Sequence, residues 1–241
     1  VDDFNYDAST QTYTLKDGVP YHGDKGQIRP GMWKFKNIDG SKDNKITEAD
    51  KTVIGNAYPK IYGGINNTFT YKDFDLSIFL TYSIGNDVFN ATKLTNTKTA
   101  LQNKNVLAVA DSKHRWVLVN KAGDLITDPQ EMADINKGKT VAAIYDNEAG
   151  DTYIHSWAVE DGSFLKLSNI TLGYTFPKKM IRKVGLSKLR LYATGSNLLT
   201  WTKYSGFDPE VSTMGNGLTP GVDFGAYPRS RAFVFGINLA F

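Results

Sequence analysis

The chain has 241 residues, a formal net charge of +3 and no cysteine. The small charge gives no support for nucleic-acid binding, and the lack of cysteine excludes disulfides and thiol chemistry. Its 13 Tyr, 13 Phe and 4 Trp suit β-strands and the aromatic girdles of membrane barrels. No stretch approaches the ~18 consecutive apolar residues of a transmembrane helix, so a membrane protein of this sequence would cross with strands.

Residues 1–36 are predicted to be irregular polar loop. They hold two short strand-like pieces, Thr12–Leu15 and Met32–Phe35, separated by Gly and Asp. The chain begins with Val1 instead of Met, and no signal-peptide pattern follows. We therefore expect the sequence to be the tail of a longer protein or a cut product.

Residues 39–50 read D-G-S-K-D-N-K-I-T-E-A-D, the spacing of a calcium-binding loop of about 12 residues. Asn44 stands where glycine normally makes the sharp turn, although Asn tolerates the left-handed region. Asp50 replaces the usual bidentate Glu. The alternative is a polar turn that binds nothing. The predicted calcium ligands are the side chains of Asp39, Ser41, Asp43, Thr47 and Asp50 and the backbone carbonyl of Lys45.

Five long segments alternate large apolar residues with small or polar ones, which predicts β-strands with one apolar face. In one of them Leu165 and Leu167 fall out of phase with Ile170 and Leu172. This phase change predicts a β-bulge or a part of the strand beyond the bilayer. The predicted strands cover residues 60–72, 74–86, 163–176, 186–201 and 229–241.

The connections between these strands alternate between short and long. Lys72-Asp73 and residues 177–185 are short, whereas residues 87–162, with a helix-compatible patch at 128–136, and residues 202–228 are long. Tight turns on one side and long extracellular loops on the other are typical of outer-membrane barrels. The predicted fold class is all-β: the C-terminal strands of a large antiparallel transmembrane β-barrel. Five strands cannot close such a barrel, so the others are expected before Val1.

Three segments carry a family resemblance: Y-P-K-I-Y-G-G-I-N-N-T-F-T-Y-K-D-F-D-L-S-I-F-L-T-Y-S-I-G (58–85), V-E-D-G-S-F-L-K-L-S-N-I-T-L-G-Y-T-F-P (159–177) and S-N-L-L-T-W-T-K-Y-S-G-F-D-P-E-V (196–211). With G-A-Y-P-R-S-R (225–231) they resemble the C-terminal end of SusC/RagA-type TonB-dependent outer-membrane transporters of Bacteroidetes. The stretch I-D-G-S-K-D-N-K-I-T-E-A-D-K-T-V-I-G (38–55) also resembles that family's acidic loop just before the first hairpin, whereas residues 1–29 match less well. Residues 1–59 are predicted to be an extracellular loop region that contains this acidic segment.

The resemblance implies a multi-pass outer-membrane barrel of about 22 strands with a plug in its lumen. It implies uptake of oligosaccharides or peptides, powered by the TonB complex acting through the plug. The implied partners are a SusD-like surface lipoprotein that closes the barrel, the N-terminal remainder of the barrel, and outer-membrane lipids; no nucleic acid is implied.

Aromatic residues in or beside the long loops are the candidate contacts with substrate or lid. They could stack on sugar rings, or they could serve loop packing and an interfacial girdle, for which Trp201 and Tyr204 are well placed. The candidates are Trp116, Trp157, Tyr204, Phe207, Phe224 and Tyr227.

An enzyme is not predicted, because His22, His114 and His155 have no metal-binding spacing and no nucleophile motif is present. The alternative function is a soluble, secreted, calcium-assisted carbohydrate-binding β-sandwich. It accounts for the strands, the aromatic residues and the acidic loop. It does not account for the asymmetry of loop lengths or for the uninterrupted apolar phase of residues 74–84.

Overall fold

The computed structural model describes residues 1–97, 105–143, 154–213 and 219–241. Within them no helix is both long and apolar enough to span a bilayer. The strands are β1 (Phe4–Asp7), β2 (Thr12–Leu15), β3 (Ile61–Tyr71), β4 (Phe74–Ile84), β5 (Asp87–Asn90), β6 (Val159–Asp161), β7 (Phe164–Thr175), β8 (Lys188–Thr202), β9 (Val222–Asp223) and β10 (Ala232–Ala240). The α-helices are α1 (Ala91–Asn96), α2 (Pro129–Ile135) and α3 (Lys178–Ile181).

The chain folds into two compact units, each made of two stretches. Unit 1 combines Val1–Ile54 with Thr92–Ala158, and unit 2 combines Gly55–Ala91 with Val159–Phe241. The sequence had suggested a loop region over residues 1–59 and a separate loop over residues 87–162, but most of both lie together in unit 1. Parts of the predicted loops 87–162 and 202–228, namely residues 98–104, 144–153 and 214–218, lie outside the described residues.

Unit 2 is built on one antiparallel sheet with the strand order β10-β8-β7-β4-β3. Each of its strands overlaps one predicted strand, with ends shifted by up to three residues. The two-residue connection Lys72-Asp73 joins β3 to β4, and Lys72 adopts a left-handed φ of 53°. The all-β, antiparallel fold class is confirmed.

Strand register places the apolar phases of all five strands on one face of the sheet. Across the middle of the sheet, Phe69 of β3 pairs with Leu76 of β4, which pairs with Leu172 of β7. Leu172 pairs with Ala193 of β8, which pairs with Phe235 of β10. This face is open: Phe235 is 80% exposed and Ile237 64% exposed. We call it the apolar face, and the opposite side the polar face.

The predicted β-bulge is confirmed on β7. Its pairing with β8 shifts between Leu167 and Asn169, and its pairing with β4 shifts opposite Phe79 and Leu80. Ser168 is the extra residue, and its hydroxyl lies 2.6 Å from that of Thr81. An extra residue reverses the phase of a strand, so Leu165 and Leu167 return to the apolar face.

Aromatic rings gather on the apolar face at the short-turn end of the sheet. The Phe74 and Tyr174 rings lie 4.6 Å apart and the Tyr174 and Phe176 rings 4.9 Å apart, and Tyr71 pairs in register with Phe74. Trp201 is 51% exposed at the opposite end of β8. Aromatic residues at both ends of an apolar band are typical of strands that cross a bilayer.

Unit 1 contains more regular structure than its sequence predicted. Residues 12–15, expected to be irregular, form β2, which pairs with β1 in an antiparallel hairpin. The Tyr13 hydroxyl donates to the backbone carbonyl of Thr127 over 3.0 Å, 114 residues away in sequence. The predicted helical patch is confirmed as α2, whose first turn is capped by the Asp128 carboxylate accepting from the Glu131 N–H at 2.8 Å. Local sequence cannot reveal a contact such as that of Tyr13 with Thr127, which joins residues 114 positions apart.

An aromatic cluster in unit 1 surrounds His155. The His155 ring lies 4.7 Å from the Trp33 ring and 5.6 Å from the Phe35 ring, and Trp157 stacks nearby at 6.3 Å. Burial, with a smaller contribution from the positive charge of Lys93, lowers the pKa of His155 from 6.5 to about 4. The imidazole is therefore neutral in the folded protein at neutral pH.

We expect unit 1 to lose stability as the pH falls from 6.5 to about 4. The unfolded chain binds a proton at His155 in this window while the folded chain does not, so acid favours unfolding. The full shift corresponds to about 3 kcal/mol. Guanidinium titrations across the window, on wild type and His155→Phe, measure the effect as the difference between the two pH profiles. If the free energy of unfolding depends on pH in the same way in wild type and in His155→Phe, the prediction is wrong.

Candidate functional site

The polar face of the sheet carries a charge pair that spans three strands. The Arg190 guanidinium on β8 donates to both carboxylate oxygens of Asp75 on β4, over 3.0 Å and 2.5 Å. Gly173 of β7 lies beneath the pair, and a Cβ at this position would overlap Arg190 Nη2 and Asp75 Oδ1. The absence of a side chain at this position therefore allows the bidentate contact.

A second charge cluster ties the polar face to the loop that follows β8. Lys166 Nζ donates to Glu210 Oε2 over 2.6 Å, and Arg229 Nη1 lies 3.2 Å from the same oxygen. The Lys166 side chain is only 3% exposed, whereas Arg229 is 55% exposed. Asp75 lies in the polar phase of β4, but the sequence alone did not reveal that Asp75 and Glu210 pair with Arg190 and Lys166, respectively.

At the long-loop end of unit 2, a small sheet holds the loop after β8. β5 pairs antiparallel with β6 and parallel with β9. Glu160 on β6 accepts from the backbone N–H and the hydroxyl of Ser205, both over 2.8 Å. Side-chain contacts thus anchor the loop at Ser205 and at Glu210, and the residues between them form a segment that is held at both ends.

Tyr204 is buried in this region, with 5% of its surface exposed. Its hydroxyl donates to Asp223 Oδ2 over 2.7 Å, and its ring packs on Gly206. Burial, and then the Asp223 carboxylate, raises the pKa of Tyr204 far above its usual value of 10.0. The girdle position considered for Tyr204 is therefore wrong, and its ring is not on the surface where a substrate or lid would meet it.

We expect Tyr204→Phe to destabilise the chain by roughly 1.5–3 kcal/mol, because it removes one hydrogen bond to a buried carboxylate and keeps the ring. Asp223 is 4% exposed and would retain the bond that it accepts from the Ala226 N–H at 3.1 Å. Thermal unfolding measures the loss. The control is Tyr227→Phe, which alters a side chain that is 91% exposed and should change stability little.

Phe207, Phe224 and Tyr227 lie on the surface of unit 2. They are 80%, 63% and 91% exposed. The Phe224 backbone N–H donates to Thr213 Oγ1 over 3.1 Å, which fixes the chain at that point. Exposed aromatic rings on a held backbone can stack on a ligand or fill a pocket of a partner.

Trp116 and Trp157 lie in unit 1, and both are half-buried. Trp116 packs on Gly31, where a Cβ would come within 2.5 Å of its ring. Trp157 belongs to the aromatic cluster, and Lys93 Nζ lies 4.3 Å from its ring centre. Both indoles therefore pack within unit 1, and each keeps part of its surface open to solvent.

The acidic loop folds as a series of turns capped by its own side chains. Asp39 and Asp43 accept from the N–H groups of Ser41 and Lys45 over 2.8 Å and 3.2 Å. Asp50 accepts from the N–H groups of Ile38, Asp39 and Thr47, and this bonding lowers its pKa. Thr47 and Asp50 form a capping box on the 3₁₀ turn Glu48–Asp50. Asn44 adopts the left-handed φ of 55° that its position in the loop requires.

These turns account for the loop without a metal ion. Among the described residues, no group of three or more His, Asp or Glu side chains is placed to hold a metal. Calcium binding by Asp39, Ser41, Asp43, Lys45, Thr47 and Asp50 stays a prediction. If it is correct, calcium added to the chelator-treated protein will raise its melting temperature, and Asp43→Asn will weaken that rise. Magnesium is the matched control, because its octahedral preference suits such a loop poorly.

Comparisons with known proteins identify the fold. No protein-family model matches the chain. TonB-dependent receptor P3 of Formosa agariphila is 31% identical over an alignment of 221 positions that covers 90% of this chain and 20% of that protein. TonB-dependent receptor P39 of the same organism is 30% identical over an alignment of 249 positions, gaps included, that covers 98% of this chain and 22% of that protein. TonB-dependent receptor SusC of Bacteroides thetaiotaomicron is 28% identical over 206 residues, 85% of this chain and 17% of that protein.

The chain thus spans about a fifth of the length of these curated relatives. Among solved structures, the RagAB peptide importer in its open-open state matches with a TM-score of 0.62 at 22% identity, covering 86% of this chain and 20% of that one. Its closed-closed state matches with a TM-score of 0.59, covering 99% of this chain and 22% of that one. At this identity the likeness establishes the fold.

The sheet with one apolar and one polar face, together with these relatives, defines the class of protein: these are strands of a TonB-dependent receptor barrel. Within that class, the chain belongs to the SusC/RagA type and is a C-terminal part of such a transporter. The relatives are receptors and transporters and not enzymes, which agrees with the expectation drawn from the histidines.

Proposed function

We propose that this chain forms part of an outer-membrane, TonB-dependent importer of oligosaccharides or peptides. The observation that carries the proposal is the continuous apolar face across five strands, opposite a face lined with hydroxyl, amide and paired charged groups. Lipid contacts the first face and the aqueous lumen the second, as in membrane barrels generally. The curated relatives are TonB-dependent receptors, which supports the same function.

The polar face is the wall of the transport path in this proposal. Charged side chains on this face form two close ion pairs, Asp75–Arg190 and Lys166–Glu210. A wall of hydroxyl groups and neutralised charges gives a solute hydrogen-bonding partners without a net field. Such a wall suits both neutral glycans and peptide backbones, so both substrate classes remain in the proposal.

The proposed partners follow from the exposed loop residues and from the relatives. A SusD-like surface lipoprotein would close the barrel from outside, and Phe207, Phe224 and Tyr227 would contact it or the substrate. The matched RagAB structures are of a peptide importer. The N-terminal remainder of the barrel would pair with the open edges of β3 and β10. The TonB complex would act through the plug.

Deletion of the gene that encodes this chain tests the proposal. In a strain grown on a single oligosaccharide or peptide mixture, loss of uptake of labelled substrate that returns on complementation is expected. Affinity purification of the complemented receptor is expected to recover a surface lipoprotein. Unchanged uptake of every oligosaccharide and peptide that the wild type takes up would contradict import.

The alternative of a soluble calcium-assisted sandwich has less support. A sandwich would bury the apolar face under a second sheet, whereas Phe233, Phe235 and Ile237 are each more than 60% exposed. Detergent dependence separates the two functions. A full-length protein that is monodisperse in plain buffer would favour the sandwich, and one that aggregates without detergent would favour the importer.

A further inference from the structure

A pocket of about 240 Å³ lies within unit 1, separate from the polar face to which we assign transport. Its wall comes from residues near the N-terminus together with Trp116 and residues 139–142. Trp33 and Trp116 supply aromatic surface, and Ile28 and Val141 are buried beside them. Trp116 is held by its close contact with Gly31, whose φ of +91° disfavours any larger residue. The Trp116 side of the pocket is therefore tightly packed.

The charged side chains that line the pocket are mostly cationic. Arg29, Lys34 and Lys139 face a single acid, Asp3, which is already paired with Lys34 at 2.8 Å. Among the described lining residues, Arg29 and Lys139 have no acidic partner; Arg29 Nη1 donates instead to the backbone carbonyls of Gly26 and Ile28, over 2.7 Å and 2.9 Å. Burial, and then the positive charge of Arg115, lowers the pKa of Lys139. A negatively charged ligand would relieve this concentration of positive charge.

Two buried donors near the pocket also lack acceptors within the described part of the chain. They are Trp116 Nε1 and Arg115 Nε. A buried donor without a partner is costly, and such groups in native proteins call for an explanation such as a ligand or ordered water. These two N–H groups thus need hydrogen-bond acceptors, which the oxygen atoms of a ligand would supply.

We propose that this pocket binds one carboxylate-bearing sugar ring, a hexuronate unit. The C–H face of a pyranose packs on indole, and its carboxylate forms charge-assisted hydrogen bonds with Lys139 and Arg29. The volume is below the ~300–1,000 Å³ of sites for drug-sized ligands, so it accommodates about one ring. The site depends only on unit 1, and its failure would leave the proposed import function untouched.

Saturation-transfer difference NMR with D-glucuronate on the full-length receptor in detergent tests the proposal. We expect saturable binding that Lys139→Met weakens at least tenfold. Lys139→Arg, which retains the charge, should preserve most of it. The matched control is Lys137→Met, which removes an exposed lysine two residues away that does not line the pocket. A glucuronate signal that is equal in the Lys139→Met and Lys137→Met variants would overturn the assignment.

Two further probes separate the parts of the proposal. D-glucose has the ring without the charge, and acetate has the charge without the ring; both should bind at least tenfold more weakly than glucuronate. If glucose binds as tightly as glucuronate, the cations do not contribute to recognition. If acetate binds as tightly as glucuronate, the tryptophans do not contribute. Absence of saturable glucuronate binding by the folded wild-type receptor would refute the site outright.

Discussion

Glu210→Gln is expected to destabilise the chain by about 3 kcal/mol, the lower end of the range for breaking a buried ion pair. Lys166, which is 3% exposed, would keep its positive charge and lose the carboxylate 2.6 Å away. The lower end applies because Glu210 itself is 20% exposed, so water can hydrate part of the space that the carboxylate leaves. The loop after β8 would lose the ion pair that joins it to β7.

The matched control for this prediction is Arg229→Gln. Arg229 contacts the same Glu210 oxygen, at 3.2 Å, but is 55% exposed. Exposed ion pairs contribute about 0–1 kcal/mol, so this variant should be close to wild type. Denaturant titration gives the two free energies, and hydrogen exchange over residues 203–213 reports whether the loop has loosened. Equal losses in the two variants would mean that burial of Lys166 does not set the energy.

Ile78→Arg should lower folding stability in lipid by roughly 2–4 kcal/mol. Ile78 lies near the middle of β4 on the apolar face, paired with Asn67 of β3 and Ile170 of β7. A guanidinium at that depth must leave water or distort the bilayer around it. The amount of receptor in the outer membrane should fall accordingly.

Ser77→Arg places the same side chain one residue away, on the polar face. If lipid covers only the apolar face, this arginine projects toward water, and its cost should be within about 0.5 kcal/mol, as for a typical surface substitution. Unfolding titrations of the full-length receptor in lipid vesicles compare the two variants directly. A larger loss from Ser77→Arg than from Ile78→Arg would invert the assignment of the faces.

The sequence by itself determined the strands, their two faces and the family of the chain. Side chains alternate at every second residue in a strand whatever lies beside it, so Phe233 to Leu239 reveal their strand locally. The phase change at Leu167 likewise allowed two interpretations, and the register shift in the structure shows that the β-bulge is the correct one. The calcium-loop pattern gave the left-handed Asn44, although its affinity for a metal stays a prediction.

Only the tertiary structure decided which groups meet. Asp75 and Arg190 are 115 residues apart, and Lys166 and Glu210 are 44 apart. Their contacts depend on sheet register and loop path, which no local period encodes. The same reason explains why Tyr204 is buried on Asp223 and not in a girdle, and why residues 1–54 and 92–158 join in one unit with its own pocket. The alternation along a strand determines the face to which a side chain points. The residue that it contacts there comes from a distant part of the sequence, and only the tertiary fold brings the two together.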